Sequence, residues 1–335
     1  TLGELLDGAD IDDTRLSYPQ SNGTEELRSR IADLYPGADM EHVVVTTGTA
    51  EANYIAALSV IEPGDEVVVM MPNYMQVWGL ARSLGAVVKP LPLREALSWA
   101  PDLDDLRKLV TSKTKLIAIC NPNNPTGAVL SEDAMREIAK VAGGVGAWLL
   151  SDEVYLGAEL EGEVSPTFHG WYDRLIVTCG LSKAYGLPGL RIGWMVSDVA
   201  RAAELWSYKD YTTIAATALS DRLATMALEP SRRNRILART RRILNDQLPL
   251  VDSFVARHGG HLSYLRPRAG AIVFMRYDWP VNSTLLTERL RDEKSVLIVP
   301  GDQFERDSYL RIGYGYDKAK LEEGLGRVSD FLRTL

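Results

Sequence analysis

Residues 115–127 read KLIAICNPNNPTG, a largely apolar run that stops abruptly in a polar loop holding two prolines. A continuous apolar run, as opposed to an alternating one, is the pattern of a strand covered on both faces of a parallel sheet. A rigid polar loop at the end of such a strand lies where open α/β sheets bind ligands. The design recurs along the chain. HVVVTT (42–47), EVVVMM (66–71), AVVKPL (86–91), AWLLS (147–151) and RLIVTC (174–179) all read as strands, mostly of the doubly covered kind. Helical patterns separate them, such as EELRSRIADLY (25–35), where Leu27, Ile31 and Leu34 share one face. This alternation predicts a three-layer α/β domain with a large, mostly parallel sheet.

From Thr217 to Arg257 the pattern is helical, interrupted at Pro230. Strand-like GAIVFMRY (270–277), VLIVP (296–300) and YLRIGY (309–314) follow, with helices expected near 282–293 and 317–334. The expectation is a large domain over 18–225 and a smaller α+β domain made of 226–335 together with the N-terminal segment 1–17. A chain of 335 residues is long enough to bury both cores.

The net charge of -8 argues against a nucleic acid as the partner. The cluster Arg232, Arg233, Arg235, Arg239, Arg241 and Arg242 reads as a solvated helix face. No apolar run is long enough for a membrane span, and no signal peptide is visible. Two cysteines, Cys120 and Cys179, each end an apolar run, which excludes a disulfide framework or a thiolate metal cluster and fits a reducing cytoplasm.

Four further stretches carry chemistry. In GLSKAYGLPGLRIGW (180–194), Lys183 and Arg191 lie among glycines with no acid nearby, so a ligand is expected to supply the negative charge. In TTGTAEANY (46–54), a strand ends at Gly48 and a helix begins, which makes an anion site from free N–H groups and the helix dipole. SDEVY (151–155) sets Asp152 and Tyr155 just past an apolar strand, and YLRIGYG (309–315) puts Arg311 inside another.

In this order, together with NPNNPTG, these stretches resemble the fold type I pyridoxal 5′-phosphate (PLP)-dependent enzymes, specifically the class I/II aminotransferases, from about Tyr18 to the C-terminus. The resemblance implies that Lys183 forms the Schiff base and shuttles the substrate proton. It implies that Arg191, the amides of Thr49 and Ala50, and Ser182 hold the phosphate. Asp152 would pair with the ring nitrogen, Asn124 and Tyr155 with the phenolic oxygen, and Tyr74 would stack on the ring. Arg311, with Asn124, would bind the substrate carboxylate, and Tyr18 would reach the phosphate of a partner subunit, implying a homodimer with shared sites.

Two features depart from the family. Gly180 stands where a phosphate-binding serine is usual, and the stretch before Tyr18 is too short to hold the family's N-terminal arm. The resemblance implies amino-group transfer from an L-amino acid to a 2-oxo acid. The lysine stretch, APDLDDL (100–106) and KDYTTI (209–214) also resemble capreomycidine synthase-like enzymes of the same fold. These eliminate a β-hydroxyl from hydroxyarginine and cyclise the product, which keeps that chemistry open.

Overall fold

A computed structural model describes all residues, Thr1–Leu335. The strands are β1 Val43–Thr46, β2 Glu66–Met71, β3 Val87–Arg94, β4 Ala100–Pro101, β5 Thr114–Cys120, β6 Trp148–Asp152, β7 Leu175–Gly180, β8 Gly193–Val196, β9 Leu262–Tyr264, β10 Ile272–Tyr277, β11 Val299–Pro300 and β12 Tyr309–Gly313. The helices are α1 Leu2–Leu6, α2 Glu25–Ala32, α3 Thr49–Val60, α4 Gln76–Ser83, α5 Leu103–Leu109, α6 Glu132–Val145, α7 Val199–Ser207, α8 Ala218–Leu228, α9 Pro230–Ala256, α10 Ser283–Lys294 and α11 Lys318–Leu332.

Eight strands form one sheet in the order β1-β8-β7-β6-β5-β2-β3-β4. Neighbours from β3 through β7 pair in parallel, while β8 runs antiparallel to both β7 and β1. Successive residues of one strand feed opposite cores: Val68, Met70, Ile117 and Ile119 pack on one face, Val67, Val69, Leu116 and Ala118 on the other. Because both faces are buried, the central strands β2, β5 and β7 are largely apolar, whereas β3, near the sheet's edge, is partly exposed and carries Lys89 and Arg94. The second sheet is small and wholly antiparallel, in the order β11-β12-β10-β9.

The helix α9 links the two sheets in sequence, and its 27 residues span about 40 Å. Pro230 opens it at N1, where a missing N–H does no harm. Its arginines are less solvated than the sequence suggests, for Arg241 pairs with buried Glu159 at 3.2 Å and Arg239 lies against Gly186. Strand β8 was not anticipated, and the predicted strand 296–300 shortens to Val299–Pro300 at a sheet edge. No helix is long and apolar enough to cross a membrane.

The parallel strands β5, β6 and β7 end side by side. Their exits carry Asn121–Gly127, Asp152–Tyr155 and Gly180–Lys183. Three of the five stretches singled out from sequence therefore meet at one sheet edge, beside the antiparallel β8.

Candidate active site

The N-terminus of α3 abuts the ends of β7 and β8 through three glycines. Gly180 and Gly193 are register partners, and a Cβ on Gly193 would collide with Thr49 N and Gly48 C. A Cβ on Gly180 would lie 2.6 Å from Thr49 Oγ1 and 2.9 Å from Ile192 O. The Thr49 hydroxyl thus fills the space of the serine that the family usually carries at position 180. Gly48, at φ 82°, caps the helix and leaves room for the Arg191 guanidinium directly against it.

This corner has the character of an anion cup. Thr49 Oγ1 is buried with no hydrogen-bond partner. The N–H groups of Thr49 and Ala50, in the first turn of α3, have no backbone acceptor. Arg191 sits at φ 51°, a left-handed conformation costing of order 1 kcal/mol for a side-chain-bearing residue. It donates only to Pro188 O, at 3.2 Å, and pairs with no carboxylate.

At the other end of the cavity Asp152 closes β6. Its Oδ1 accepts from Val154 N–H at 3.2 Å and its Oδ2 from Asn53 Nδ2 at 3.1 Å. Burial raises its pKa, opposed first by the Asn53 hydrogen bond, then by Val154 N–H and the Lys183 charge. Asn53 was not singled out from sequence. Its signal was the spacing from Thr49, four residues on and therefore on the same helix face.

A cavity of about 380 Å³ joins the two ends, and its wall includes Thr49, Ala50, Tyr74, Asn124, Asp152, Tyr155, Ser182, Lys183, Arg191 and Arg311. Asn53, Gln76, Cys120, Val154 and Pro188 complete it. Lys183 keeps an exposed side toward the mouth while protein crowds its amine. Partial burial lowers its pKa, Arg311 and Arg191 lower it further, and Asp152 opposes them. Asn121 Oδ1 accepts from Leu130 N–H and Asn123 Oδ1 from Thr126, contacts that tie down the loop, while Asn124 faces the cavity.

Arg311 enters from β12, where it pairs in register with Phe274 and Val299. Its Nη1 meets Asn124 Oδ1 at 3.5 Å, and its Nε is buried with no partner. Tyr155 is buried against Gly270, and burial pushes its phenol well above the ordinary range. Tyr74 is half exposed on the wall. Tyr18 does not join them: it is 82% exposed and outside this chain's cavity.

The donor set fits PLP. An orphaned buried hydroxyl, free helix N–H groups and an unpaired arginine suit a phosphate dianion, and a buried carboxylate with a lysine across the cavity suits a pyridine ring with an aldehyde.

Comparison with known proteins agrees. The family model described as aminotransferase class I and II matches residues 4–328. Capreomycidine synthase of Streptomyces vinaceus is 35% identical, with all of this chain and 87% of that protein aligned. Arginine–pyruvate transaminase of Pseudomonas aeruginosa is 29% identical over 93% of this chain and 81% of its own. A PLP-dependent aminotransferase of Streptococcus suis superposes with a TM-score of 0.93 at 36% identity, covering 100% of this chain and 90% of that one. With this match running nearly end to end, the chain belongs to the class I and II aminotransferases, a PLP-dependent family of fold type I.

Proposed function

We propose that the protein is an aminotransferase that moves the amino group of an L-amino acid to a 2-oxo acid. One observation carries this: Lys183, Arg191 and Arg311 share a cavity whose sole carboxylate is Asp152. Three cations facing one acid call for a ligand with two anionic ends, a phosphate and a substrate carboxylate.

PLP, when bound, supplies an aldehyde for the amino group and a cationic ring that stabilises negative charge at the substrate α-carbon. Arg191, the amides of Thr49 and Ala50, Thr49 Oγ1 and Ser182 would hold its phosphate. Asp152 would accept from the protonated ring nitrogen, Asn124 and Tyr155 would donate to the phenolic oxygen, and Tyr74 would cover one face. Arg311 uses its free donors for a forked grip on the substrate carboxylate. Burial and the nearby arginines lower the Lys183 pKa and so favour its neutral amine, the form whose Nζ can take the α-carbon proton and return it.

The assembly belongs to the same proposal. Tyr18, Leu16 and Tyr211 are each more than 80% exposed, apolar surface that a second copy would cover while delivering Tyr18 to its partner's site. Two buried free thiols, Cys120 and Cys179, fit the cytoplasm. Two domains, 18–225 and 226–335 with segment 1–17, one built on each sheet, are part of this reading.

Elimination of a β-hydroxyl from a hydroxylated arginine, followed by cyclisation, has one observation in its favour: 35% identity to capreomycidine synthase along the whole chain. A single experiment separates the two. The holoenzyme is given ¹⁵N-labelled amino acids, arginine first, with and without pyruvate, and separately 3-hydroxyarginine alone. Labelled alanine formed only with pyruvate supports transamination. A cyclic product lighter by one water, formed without any oxo acid while no donor yields alanine, refutes it in favour of elimination.

A further inference from the structure

Asp152 does not sit alone at the ring end of the cavity. Asn53, 1% exposed, is held on three sides. Thr178 Oγ1, buried on β7 directly across from Asp152, donates to Asn53 Oδ1 at 2.7 Å. Gln76 Nε2 donates to the Ala50 carbonyl at 2.7 Å, which turns its Oε1 toward Asn53 Nδ2 at 3.5 Å. The amide can satisfy all three neighbours in one orientation, with its nitrogen facing Asp152 and Gln76 and its oxygen facing Thr178.

We propose that Asn53 is a positioning residue: its amide, locked by Thr178 and Gln76, holds the Asp152 carboxylate as an acceptor aimed into the cavity. This rests on the assignment of Asp152 to the ring nitrogen. A carboxylate free to pick up a proton would become a donor and could no longer keep the ring cationic. A neighbour that can only donate makes the protonated form unfavourable. The titratable groups around Asp152 are Lys183, which favours its charge, and Glu153, Cys120, Cys179 and Tyr155, whose ionised forms oppose it. Asn53 therefore joins Val154 N–H and Lys183 in favouring the charge, against burial and the four groups that oppose it.

The test uses Asn53→Leu, Thr178→Val and Thr178→Ser. Loss of one hydrogen bond to a charged group should weaken PLP binding to Asn53→Leu apoenzyme roughly ten- to a hundredfold, read by fluorescence titration. The acid limb of kcat/KM should move up by about one pH unit, because the carboxylate loses a stabilising donor. The fall should lie in kcat, with KM for the amino donor near wild type, since Arg311 is untouched. Thr178→Val, which alters neither α3 nor the side-chain volume, should move the same readouts in the same direction, and Thr178→Ser should restore them. Borohydride reduction of each holoenzyme with peptide mapping runs alongside. A label on a lysine other than Lys183 overturns the functional assignment and this inference with it. A label on Lys183, with wild-type PLP affinity and pH profile in Asn53→Leu and Thr178→Val, overturns this inference alone.

Discussion

Gly180→Ser restores the serine usual in the family, and it should damage the enzyme. A Cβ at Gly180 would meet Thr49 Oγ1 at 2.6 Å, Ile192 O at 2.9 Å and Gly193 Cα at 3.0 Å. The threonine hydroxyl can rotate away. The two backbone atoms cannot, because Gly193 opens β8 and Ile192 directly precedes it, where Gly180 and Gly193 pair β7 with β8. Overpacking of this kind costs about 1–3 kcal/mol. Turning Thr49 Oγ1 out of the cup also removes one donor to a dianion, worth roughly tenfold in PLP affinity. Urea melts of the apoenzyme and PLP titrations, run on Gly180→Ser, Thr49→Ala and the double variant, separate the two contributions. The Thr49→Ala background should relieve only the hydroxyl contact, giving a favourable coupling of about 0.5–1 kcal/mol and leaving the backbone clash in place. If Gly180→Ser keeps wild-type stability and binds PLP more tightly, the claim that Thr49 occupies the serine's space is wrong.

Asp152→Asn should lower kcat/KM by ~10²–10⁴ while leaving the fold intact, and near-normal turnover would make Asp152 a mere strand-end cap. Glu153 is buried with Oε2 unpartnered, and burial pushes its pKa from 4.5 up to about 7. The native state thus keeps a proton that the unfolded chain has released. Unfolding free energy should fall as pH rises from 4.5 to about 7, by up to roughly 3 kcal/mol from this group. Glu153→Gln should flatten that slope in urea melts at pH 5 and pH 8, and a slope matching wild type would refute it. Co-expressed Lys183→Ala and Tyr18→Arg, each inactive alone, should recover roughly a quarter of wild-type activity with random mixing, because one site of each mixed dimer is intact. No recovery from isolated mixed dimers would rule out a shared site.

Much of this was legible in the sequence because burial on both faces leaves a plain mark. The runs predicted at 66–71, 115–120 and 174–179 differ from β2, β5 and β7 by at most a residue at each end. Arg311 stood out because a lone cation in an apolar strand needs a reason. Strand β8 was hidden: Gly193–Val196 is four residues long and follows a glycine-rich turn, so neither length nor periodicity marks it. Long-range partners were hidden as well. Asn53 reads as an ordinary helix residue until Asp152 and Thr178 are folded against it. Thr49 shows its relation to Gly180 only when α3 docks on the sheet. Fully buried Lys209, within KDYTTI, likewise gives no hint that it pairs with Glu51 at 3.6 Å.

That pair changes what α3 can do. Glu51 is gripped by Lys209, Thr212, Thr213 and the Thr47 N–H, so the first turn of the helix is clamped to the 209–213 segment. On the face toward the cavity, Thr49 and Asn53 sit four residues apart, a rise of about 6 Å. The helix therefore works as a fixed gauge between the phosphate end and the ring end of the site. A gauge cannot yield at one mark alone. Any tilt that loosens the cup also swings Asn53 away from Asp152, so grip on the phosphate and control of the ring carboxylate should fail together. A PLP homologue with one extra methylene before the phosphate should consequently be rejected outright instead of binding with a shifted ring.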